Sequence, residues 1–487
     1  MQSKEQRNAA RMTDLRSCEP VLSINRFLAS QWFVALVCVL TVCCSVFGVE
    51  LYVYTFFIAC GLYISAFGQD YLPILPMWIC SYISPSLQNN PGREPDSIFY
   101  PQNGGIYLLV IFALFVVSAV IRLATDKDLG GKKFLRCKRR LMPGILALGG
   151  AYLLAGAFSG KYFDRGFYNL LFAFLQFIAI FAAYWFFTGA VKWEKARKDY
   201  FAWCGFGAGM TVLAQILHMY LTREVIVDGA IDLYRIATGW GNANNIGCML
   251  AMMIPFAYCL ARQRHRGWLF SLMGMVMAVG VLFTCSRASI LGAAFAFLSS
   301  FALSLRNVES RKSDLIATCL AVICLAVVTT AFHRPILHLF RSLIDKGLNP
   351  SFRDVIYKEG WKQFTQLPIF GGTFYPSDHS IFEWSTVESF KAFFPPRWHN
   401  TVIQLLASCG TVGLLAYGYH RYQTVKLLLK APTTEKLYIA ISILTLLATS
   451  MLDCHFFNVG PTLFYSMALA FGEKTHAPKH KQVGVRR

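Results

Sequence analysis

A histidine followed by an asparagine, His399–Asn400, precedes a long apolar segment in the C-terminal part of the chain. The positive end of a helix dipole at this position disfavours the imidazolium form, and a general base at neutral pH must be a neutral imidazole. Gly410 and Gly413 fall on the same predicted helix face, where small residues permit close helix packing. Taken alone, such a pattern is more often a surface histidine at a helix end, and a catalytic histidine is the open alternative.

Three arginines could supply positive charge to an anionic substrate. Ser286 has the side chain of an N-cap and puts Arg287 in the first turn of the next helix, where backbone N–H groups and a guanidinium bind phosphate. Arg235 precedes the segment 239–245, GWGNANN, which indicates a structured, hydrogen-bonding entry into a helix. Arg353 begins a stretch with helical periodicity. Arg287 could instead extend from the membrane interface to water, and Arg235 could be a solvated side chain in a capping loop.

Ten histidines and fifteen cysteines raise the question of a metal site or disulfides. The cysteines are scattered and lie mostly in apolar segments, without a Cys-x-x-Cys pair or a Cys/His spacing typical of zinc. We therefore expect the cysteines to be apolar filler, with no catalytic metal and no cofactor. The sequence has no P-loop, so nothing in it indicates ATP-driven transport.

The elements that must position these residues are membrane spans. Of the 487 residues 55% are hydrophobic and 15% are charged, whereas soluble proteins have about 25% charged residues; this argues against a soluble enzyme. A helix of about 20 apolar residues crosses a bilayer. The candidate spans are Phe27–Phe47, Leu51–Phe67, Ile106–Leu123, Leu141–Phe158, Tyr168–Val191, Phe201–Leu221, Ile246–Ala261, Trp268–Phe283, Ala288–Leu305, Leu315–Phe332, Thr401–Tyr419, Tyr438–Leu452, Pro461–Phe471 and the shorter, proline-containing Tyr71–Ser86.

The predicted fold is an all-α, polytopic transmembrane helical bundle of 12–14 spans, because helices satisfy their own backbone in lipid and the alternation of barrel strands is absent. We divide the chain into an N-terminal cytoplasmic tail 1–26, membrane helices 27–221, a second membrane region 222–471 and a basic cytoplasmic tail 472–487. The second region includes a long outward loop, 333–398. Its periodicity predicts short amphipathic helices over the outer surface.

The net charge of +20 is explained by orientation, and no nucleic-acid partner is needed. Of the 46 Lys and Arg residues, 32 lie in or beside alternate loops and the two tails, which the positive-inside rule assigns to the cytoplasm. This alternation requires Tyr71–Ser86 to be a span, so it favours 14 crossings with both termini inside. The candidate residues then all face outward, and so do the two periodic stretches Arg334–Lys346 and Arg353–Phe364.

At this point the residues resemble the O-antigen ligase and O-antigen polymerase superfamily. His399–Asn400, nine residues, Gly410, two residues and Gly413 is similar to the family signature H-N/S-x9-G-x-x-G. The segment Cys285–Gly292, CSRASILG, is similar to its S-R-x-x-x-x-G hairpin.

Two further motifs strengthen the resemblance. Arg353 through Trp361, followed by 368–372, PIFGG, resembles the family's R…W…P-L-x-G-x-G loop. Arg235 with 239–245 resembles its R-x-x-x-G…N stretch. The four motifs occur in the family's order and together cover about residues 234–413.

The resemblance implies a metal-independent, inverting glycosyltransferase in the bacterial cytoplasmic (inner) membrane, with its site on the outer face. It implies an undecaprenyl-diphosphate-linked glycan as donor and a glycan or lipid A-core sugar hydroxyl as acceptor. Among the residues, Arg235 and Arg287 would bind the diphosphate, His399 would activate or fix the acceptor hydroxyl, and Arg353 would be a further substrate contact. Residues in supporting roles would be Asn400, Gly410, Gly413 and Ser286.

The sequence leaves two kinds of alternative open. A ligase, a polymerase and a protein-glycosylating relative differ in their acceptor, and the sequence does not separate them. A lipid-linked glycan flippase or secondary transporter is a different class of protein. Such a protein would need polar residues near the bilayer midplane and often internal repeats, whereas here mid-span charges are scarce.

Overall fold

The computed structural model is almost entirely helical. It describes residues 16, 18–83, 104–126, 129–160, 162, 168–193, 197, 199–223, 225–227, 230–232, 235–238, 241–264, 266–331, 337, 341, 353–374, 397–430 and 432–474. Two short antiparallel hairpins interrupt the helices. They are β1 (Ile226–Val227) with β2 (Ala230–Ile231), and β3 (Ala237–Thr238) with β4 (Gly241–Asn242).

Nine of the described helices precede these hairpins. They are α1 (Glu19–Leu28), α2 (Gln31–Phe47), α3 (Glu50–Phe67), α4 (Ile74–Ser81), α5 (Gly105–Thr125), α6 (Gly131–Leu135), α7 (Met142–Leu153), α8 (Tyr168–Ala190) and α9 (Tyr200–Thr222). The helices that follow are α10 (Ala243–Gln263), α11 (Gly267–Leu282), α12 (Arg287–Leu305), α13 (Val308–Ala331), α14 (Arg353–Gln366), α15 (Thr401–Leu429), α16 (Thr434–Ser450), a 3₁₀ turn (His455–Phe457) and α17 (Val459–Lys474).

Each of the fourteen candidate spans overlaps a helix, although Phe27–Phe47 crosses the bend between α1 and α2 and Tyr71–Ser86 contains only the short α4. The predicted all-α, polytopic fold class is confirmed. Within the described ranges, seven helices are long and apolar enough to cross a membrane, or eight if the bent pair α1–α2 is one span. The seven are α3, α5, α8, α9, α10, α12 and α15. The apolar helices α7 and α11 are shorter.

Helix α10 forms the centre of the bundle. Every residue from Ile246 to Ala261 is buried, and the helix packs against α9, α11, α12 and α16. Helix α5 differs, because apolar side chains such as Leu109, Val116 and Ile121 remain uncovered by protein, as expected for a helix that faces lipid. The central position of α10 matters for function, because its N-terminus carries polar residues of the candidate site.

The proline-containing segment returns the chain across the bundle although its helix is short. Helices α3 and α5 run parallel, since Arg122 at the end of α5 donates hydrogen bonds to the carbonyls of Ile64 and Gly68 at the end of α3. Between them, Ser81 at the end of α4 accepts a hydrogen bond from the Tyr54 hydroxyl near the start of α3 (2.9 Å). The eight residues of α4 rise only about 12 Å, yet the chain reverses direction as the 14-span alternation requires.

The basic loops predicted to be cytoplasmic gather at one end of the bundle. Arg264, between α10 and α11, forms an ion pair with Asp199 at the start of α9. Lys474 at the end of α17 donates a hydrogen bond to the Lys138 carbonyl between α6 and α7 (3.2 Å). The segments that carry the candidate site residues lie at the opposite end. Which end faces the cytoplasm stays a prediction.

Arg421 corrects one detail of the charge assignment. The sequence analysis counted it in a basic cytoplasmic loop, but α15 continues well beyond it. Its guanidinium lies 4.3–4.9 Å from the ring centroids of Tyr417, Phe456 and Tyr465. These cation–π contacts stabilise the charge inside the bundle.

Several predictions concern residues that the structure does not describe. The two tails are only partly covered, and the stretch Arg334–Lys346 lies almost wholly outside the described residues. In the long loop, the periodic stretch Arg353–Phe364 forms helix α14, as predicted. The domain boundaries at residues 26, 221 and 471 stay predictions.

We predict that the basic end of the bundle faces the cytoplasm, because positively charged loops resist translocation. A green fluorescent reporter fused after Arg487 should fluoresce, and alkaline phosphatase inserted in the outer loop at residue 383 should be active. An active phosphatase at the C-terminus would contradict this orientation.

Candidate active site

Three helices begin next to one another at the end of the bundle opposite the basic loops, each with a polar N-cap. The Asn400 side chain accepts hydrogen bonds from the backbone N–H groups of Val402 and Ile403 and caps α15. Ser286 caps α12 as predicted, by accepting from the Ser289 N–H. Asn242 caps α10 in the same way. Side-chain caps fix where each helix starts, and so they position the residues beside them.

Hydrogen bonds between these helix starts hold them together. The Ser289 hydroxyl of α12 donates to the Asn244 carbonyl of α10 (3.0 Å). The Asn245 side-chain oxygen accepts from Asn458, the residue directly before α17. Arg397, just before α15, donates to the Asn458 side chain as well, so the N-termini of α10, α12, α15 and α17 converge. Because each helix N-terminus carries partial positive charge, this convergence favours an anion.

A carboxylate, Asp453, lies at the centre of the convergence. Its Oδ1 is 3.0 Å from Nδ1 of His399 and accepts the backbone N–H of Cys454 (2.7 Å). Its Oδ2 accepts from the Asn244 amide (3.0 Å) and lies 3.7 Å from the Arg353 guanidinium. The side chain of Asp453 is 9% exposed and that of His399 is 33% exposed. The pair therefore joins a buried anion to an imidazole that a substrate can reach.

The environment keeps Asp453 ionised. Burial alone would favour the protonated form, but the hydrogen bond with His399 and the nearby imidazoles outweigh it and lower the pKa of the Asp453 carboxyl. An ionised carboxylate only accepts hydrogen bonds, so the proton of the His399 imidazole belongs on Nδ1. Nε2 then carries the lone pair. In this tautomer Nε2 points away from the carboxylate and can accept a proton.

The backbone is strained directly before two of these helices. Cys285 (φ 49°) and His399 (φ 48°) are the non-glycine residues with positive φ in the described part of the chain. Cys285 precedes the cap of α12, and His399 precedes the cap of α15. Such conformations cost about 1–3 kcal/mol each and persist where the surroundings enforce them, often at active sites. The strain marks the same two segments that the sequence motifs indicate.

The predicted arginines occupy three different settings. Arg353 begins α14 and reaches Asp453 directly. Arg287 is the first residue of α12, next to its cap. Arg235 forms an ion pair with Asp232 (3.1 Å) and donates to the Arg223 carbonyl, before the β3–β4 hairpin that leads into α10. The structure thus brings Arg353 and His399 together, puts Arg287 at a converging helix start, and holds Arg235 in an ion pair on the approach to α10.

The role expected for Gly410 needs correction. We predicted that it allows close packing between helices, but it lies at a break within α15 (φ 64°, ψ −158°). The turn 368–372 approaches this break: Thr411 N–H donates to the Pro368 carbonyl and Gly372 N–H donates to the Ala407 carbonyl, both at 2.8 Å. A Cβ on Gly410 would collide with the backbone of this turn. The glycine therefore anchors the long loop on α15.

The other supporting residues have local partners. The Asn400 amide donates to the Met451 carbonyl at the end of α16 (2.7 Å), so the residue ties α15 to α16 as well as capping α15. Gly413 is buried, and a Cβ there would press against Cys409 of the same helix, which the break at Gly410 brings close. The close approach at Gly413 is thus within α15, and again it is not the predicted contact between helices.

We predict that Gly410→Ala detaches the 368–372 turn and destabilises the protein. The backbone conformation at this position is almost restricted to glycine, so the cost should reach about 1–3 kcal/mol. Gly418→Ala in the same helix is the matched control, because nothing lies within 4 Å of its Cβ position. Thermal unfolding in detergent should show a lower Tm for Gly410→Ala alone; equal Tm values for both variants would contradict the anchoring role.

The sequence analysis did not single out Asp453. It lies with His455 in a short connection between two predicted spans, on a side of the membrane where carboxylates are few. The scarcity of carboxylates on that side could have singled out Asp453 from the sequence. Arg397 was also missed; its guanidinium donates to the Asn458 side-chain oxygen. Within the described residues, no group of three or more His, Cys, Asp or Glu side chains is arranged to hold a metal ion.

The comparison with known families agrees with these motifs. Residues 272–418 match the family model described as O-antigen ligase. This stretch of the chain belongs to the O-antigen ligase family. The matched stretch covers α12, α13, α14, His399 and the part of α15 with Gly410 and Gly413, and it ends before Asp453. No curated protein matches the chain.

The family confirms the resemblance recognised in the sequence. It supports a function of the O-antigen ligase or polymerase type, and it indicates a glycosyltransferase-like enzyme. Together with the apolar helices it makes the chain a multi-pass membrane protein.

Proposed function

We propose that the protein transfers a glycan from an undecaprenyl-diphosphate carrier to a sugar hydroxyl on the outer face of the bacterial cytoplasmic membrane. The observation that carries this proposal is the His399–Asp453 pair at the convergence of four helix N-termini. The pair offers a base, and the helix N-termini with their arginines offer a site for an anionic leaving group. A lipid-linked sugar diphosphate needs both.

In this mechanism His399 activates the acceptor. Nε2 removes the proton from the acceptor hydroxyl as its oxygen attacks the anomeric carbon of the donor glycan. Asp453 holds Nδ1–H and stabilises the imidazolium that forms, as the carboxylate does in a catalytic triad. The 3.0 Å separation of Nδ1 and Oδ1 supports this role. Direct attack without a covalent intermediate inverts the anomeric configuration.

The leaving group departs as the carrier diphosphate. The bond between the anomeric carbon and the diphosphate oxygen breaks, and negative charge grows on that oxygen. Arg287, the helix N-termini and Arg353 stabilise this charge, while Arg235 binds the diphosphate on its approach. Guanidinium groups and helix dipoles here take the part that a divalent cation has in many diphosphate-dependent transferases, so we propose a metal-independent reaction.

The acceptor defines which member of the class this protein is. A ligase would use a lipid A-core sugar, and a polymerase would use a second carrier-linked repeat. A flippase is less favoured, because the polar cluster described above lies at one end of the bundle. Glycan analysis of a deletion strain separates the cases: undecorated core indicates a ligase, and single repeats on the core indicate a polymerase. Transfer by purified protein in detergent would exclude a flippase.

We predict that His399→Ala and Asp453→Asn each lower glycan transfer by about 100-fold or more, because general-base catalysis contributes about that much. Asp453→Asn should act by losing the charge that fixes the Nδ1–H tautomer. Transfer is measured with purified protein, a carrier-linked donor and an acceptor glycan, after membrane levels have been matched by immunoblot.

Two matched variants serve as controls for this pair. His218→Ala changes a half-buried histidine of α9, and Asp314→Asn changes a buried aspartate that accepts from Ser271 in α11. Both should retain transfer near the wild-type rate. Wild-type transfer by His399→Ala would remove the histidine from the mechanism.

For Arg287 we predict a graded effect. Arg287→Ala should reduce transfer by about 100-fold, the usual cost of losing one transition-state donor. Arg287→Lys should lose less, because it keeps the charge but not the two-pronged geometry. If alanine and lysine variants both transfer as well as the wild type, Arg287 does not contact the diphosphate.

A further inference from the structure

One face of helix α14 lies along the start of α15. Arg353, Tyr357 and Gly360 are spaced by four and three residues, so they share this face. Arg353 reaches Asp453, as described above. The family motifs and the proposed chemistry assign no role to Tyr357 or Gly360.

Each of these positions contacts the segment around His399. The Tyr357 hydroxyl donates a hydrogen bond to the backbone carbonyl of His399 (3.0 Å). Gly360 lets the helix approach the buried Trp398: a Cβ there would lie 2.9 Å from the indole ring. One turn further, Gln363 donates to the Ala407 carbonyl (2.9 Å). Helix α14 therefore follows α15 from before its cap through its second turn.

The contact of Tyr357 falls on the strained residue. His399 has φ 48°, a conformation that an L-residue keeps only where its surroundings enforce it. Its side chain is held by Asp453, and the next residue, Asn400, is held by the Met451 carbonyl. The Tyr357 hydroxyl is the contact from α14 to the His399 backbone itself. Loss of this hydrogen bond removes one of the contacts that hold the peptide following His399 in place.

We propose that Tyr357 is a positioning residue, through which α14 restrains His399 in its left-handed conformation. This restraint aims Nε2 at the acceptor hydroxyl. The inference rests on the proposed function for its effect on catalysis. Its structural part, the restraint of the His399 backbone, is independent of that function.

The test is Tyr357→Phe, which removes the hydroxyl and keeps the ring. We expect kcat for glycan transfer to fall about tenfold, the effect of losing one hydrogen bond that orients a reacting group, while KM for the donor stays unchanged. Tyr162→Phe is the matched control. Its hydroxyl also donates to a backbone carbonyl, that of Leu153 (2.5 Å), but the contact is remote from His399 in sequence and links other elements.

A second measurement does not depend on activity. Hydrogen exchange of the backbone amides at 398–403 should be faster in Tyr357→Phe than in the wild type, and unchanged in Tyr162→Phe. Unchanged exchange and unchanged kcat in Tyr357→Phe would overturn the proposal. A lower kcat with unchanged exchange would overturn it as well, because Tyr357 would then act on the substrate and not through His399.

The two proposals can fail separately. If His399→Ala transfers glycan normally, the proposed chemistry is wrong, and the exchange measurement still decides whether α14 restrains the backbone. If His399→Ala is inactive while Tyr357→Phe is normal in both measurements, the proposed chemistry is supported and the restraint of His399 by α14 is overturned.

Discussion

The buried carboxylate of Asp453 is the interaction on which the candidate site depends. An ion in a membrane protein away from water is costly unless hydrogen bonds and opposite charges surround it. Asp453 obtains them from three segments that are distant from it in sequence, through Asn244 on α10, Arg353 on α14 and His399 before α15, and from its own neighbour Cys454. Satisfying one anion therefore brings together the starts of three helices. The same contacts orient the imidazole.

This arrangement explains why backbone strain is tolerated at His399. A left-handed residue is unfavourable in isolation, and it is stable only when several contacts fix it together. The imidazole is bonded to Asp453, the following Asn400 to Met451, and the carbonyl to Tyr357. Helix α14 supplies one of these contacts and the connection that follows α16 supplies the other two, so no single element determines the geometry. The precision of the site comes from the bundle as a whole.

The sequence predicted what depends on local pattern and missed what depends on distant contacts. Hydropathy predicted fourteen segments that prove to be helical, and motif spacing singled out His399 and Arg353, which the structure brings together at Asp453. Asp453 was missed because its partners are brought to it only by folding. Gly410 was recognised as important but given the wrong neighbour, since only the structure reveals the turn that enters α15. Arg421 was assigned to a cytoplasmic loop because the sequence does not reveal the aromatic rings that stabilise its charge. Two of the three rings, those of Phe456 and Tyr465, are distant from it in sequence.

The charge at the site also explains why the carboxylate does not exclude an anionic substrate. Asp453 contributes one negative charge. Each of the four helix N-termini carries about half a positive charge, and Arg353 adjoins Asp453 while Arg397 bonds to Asn458 beside it. The positive charges exceed the negative one before any ligand binds. Asp453 neutralises part of this positive charge and orients His399. The remaining positive charge, at the start of α12 with Arg287, stays suited to a diphosphate. In the reaction that we propose, the same cations without a carboxylate would favour the donor but would leave His399 without an orienting partner.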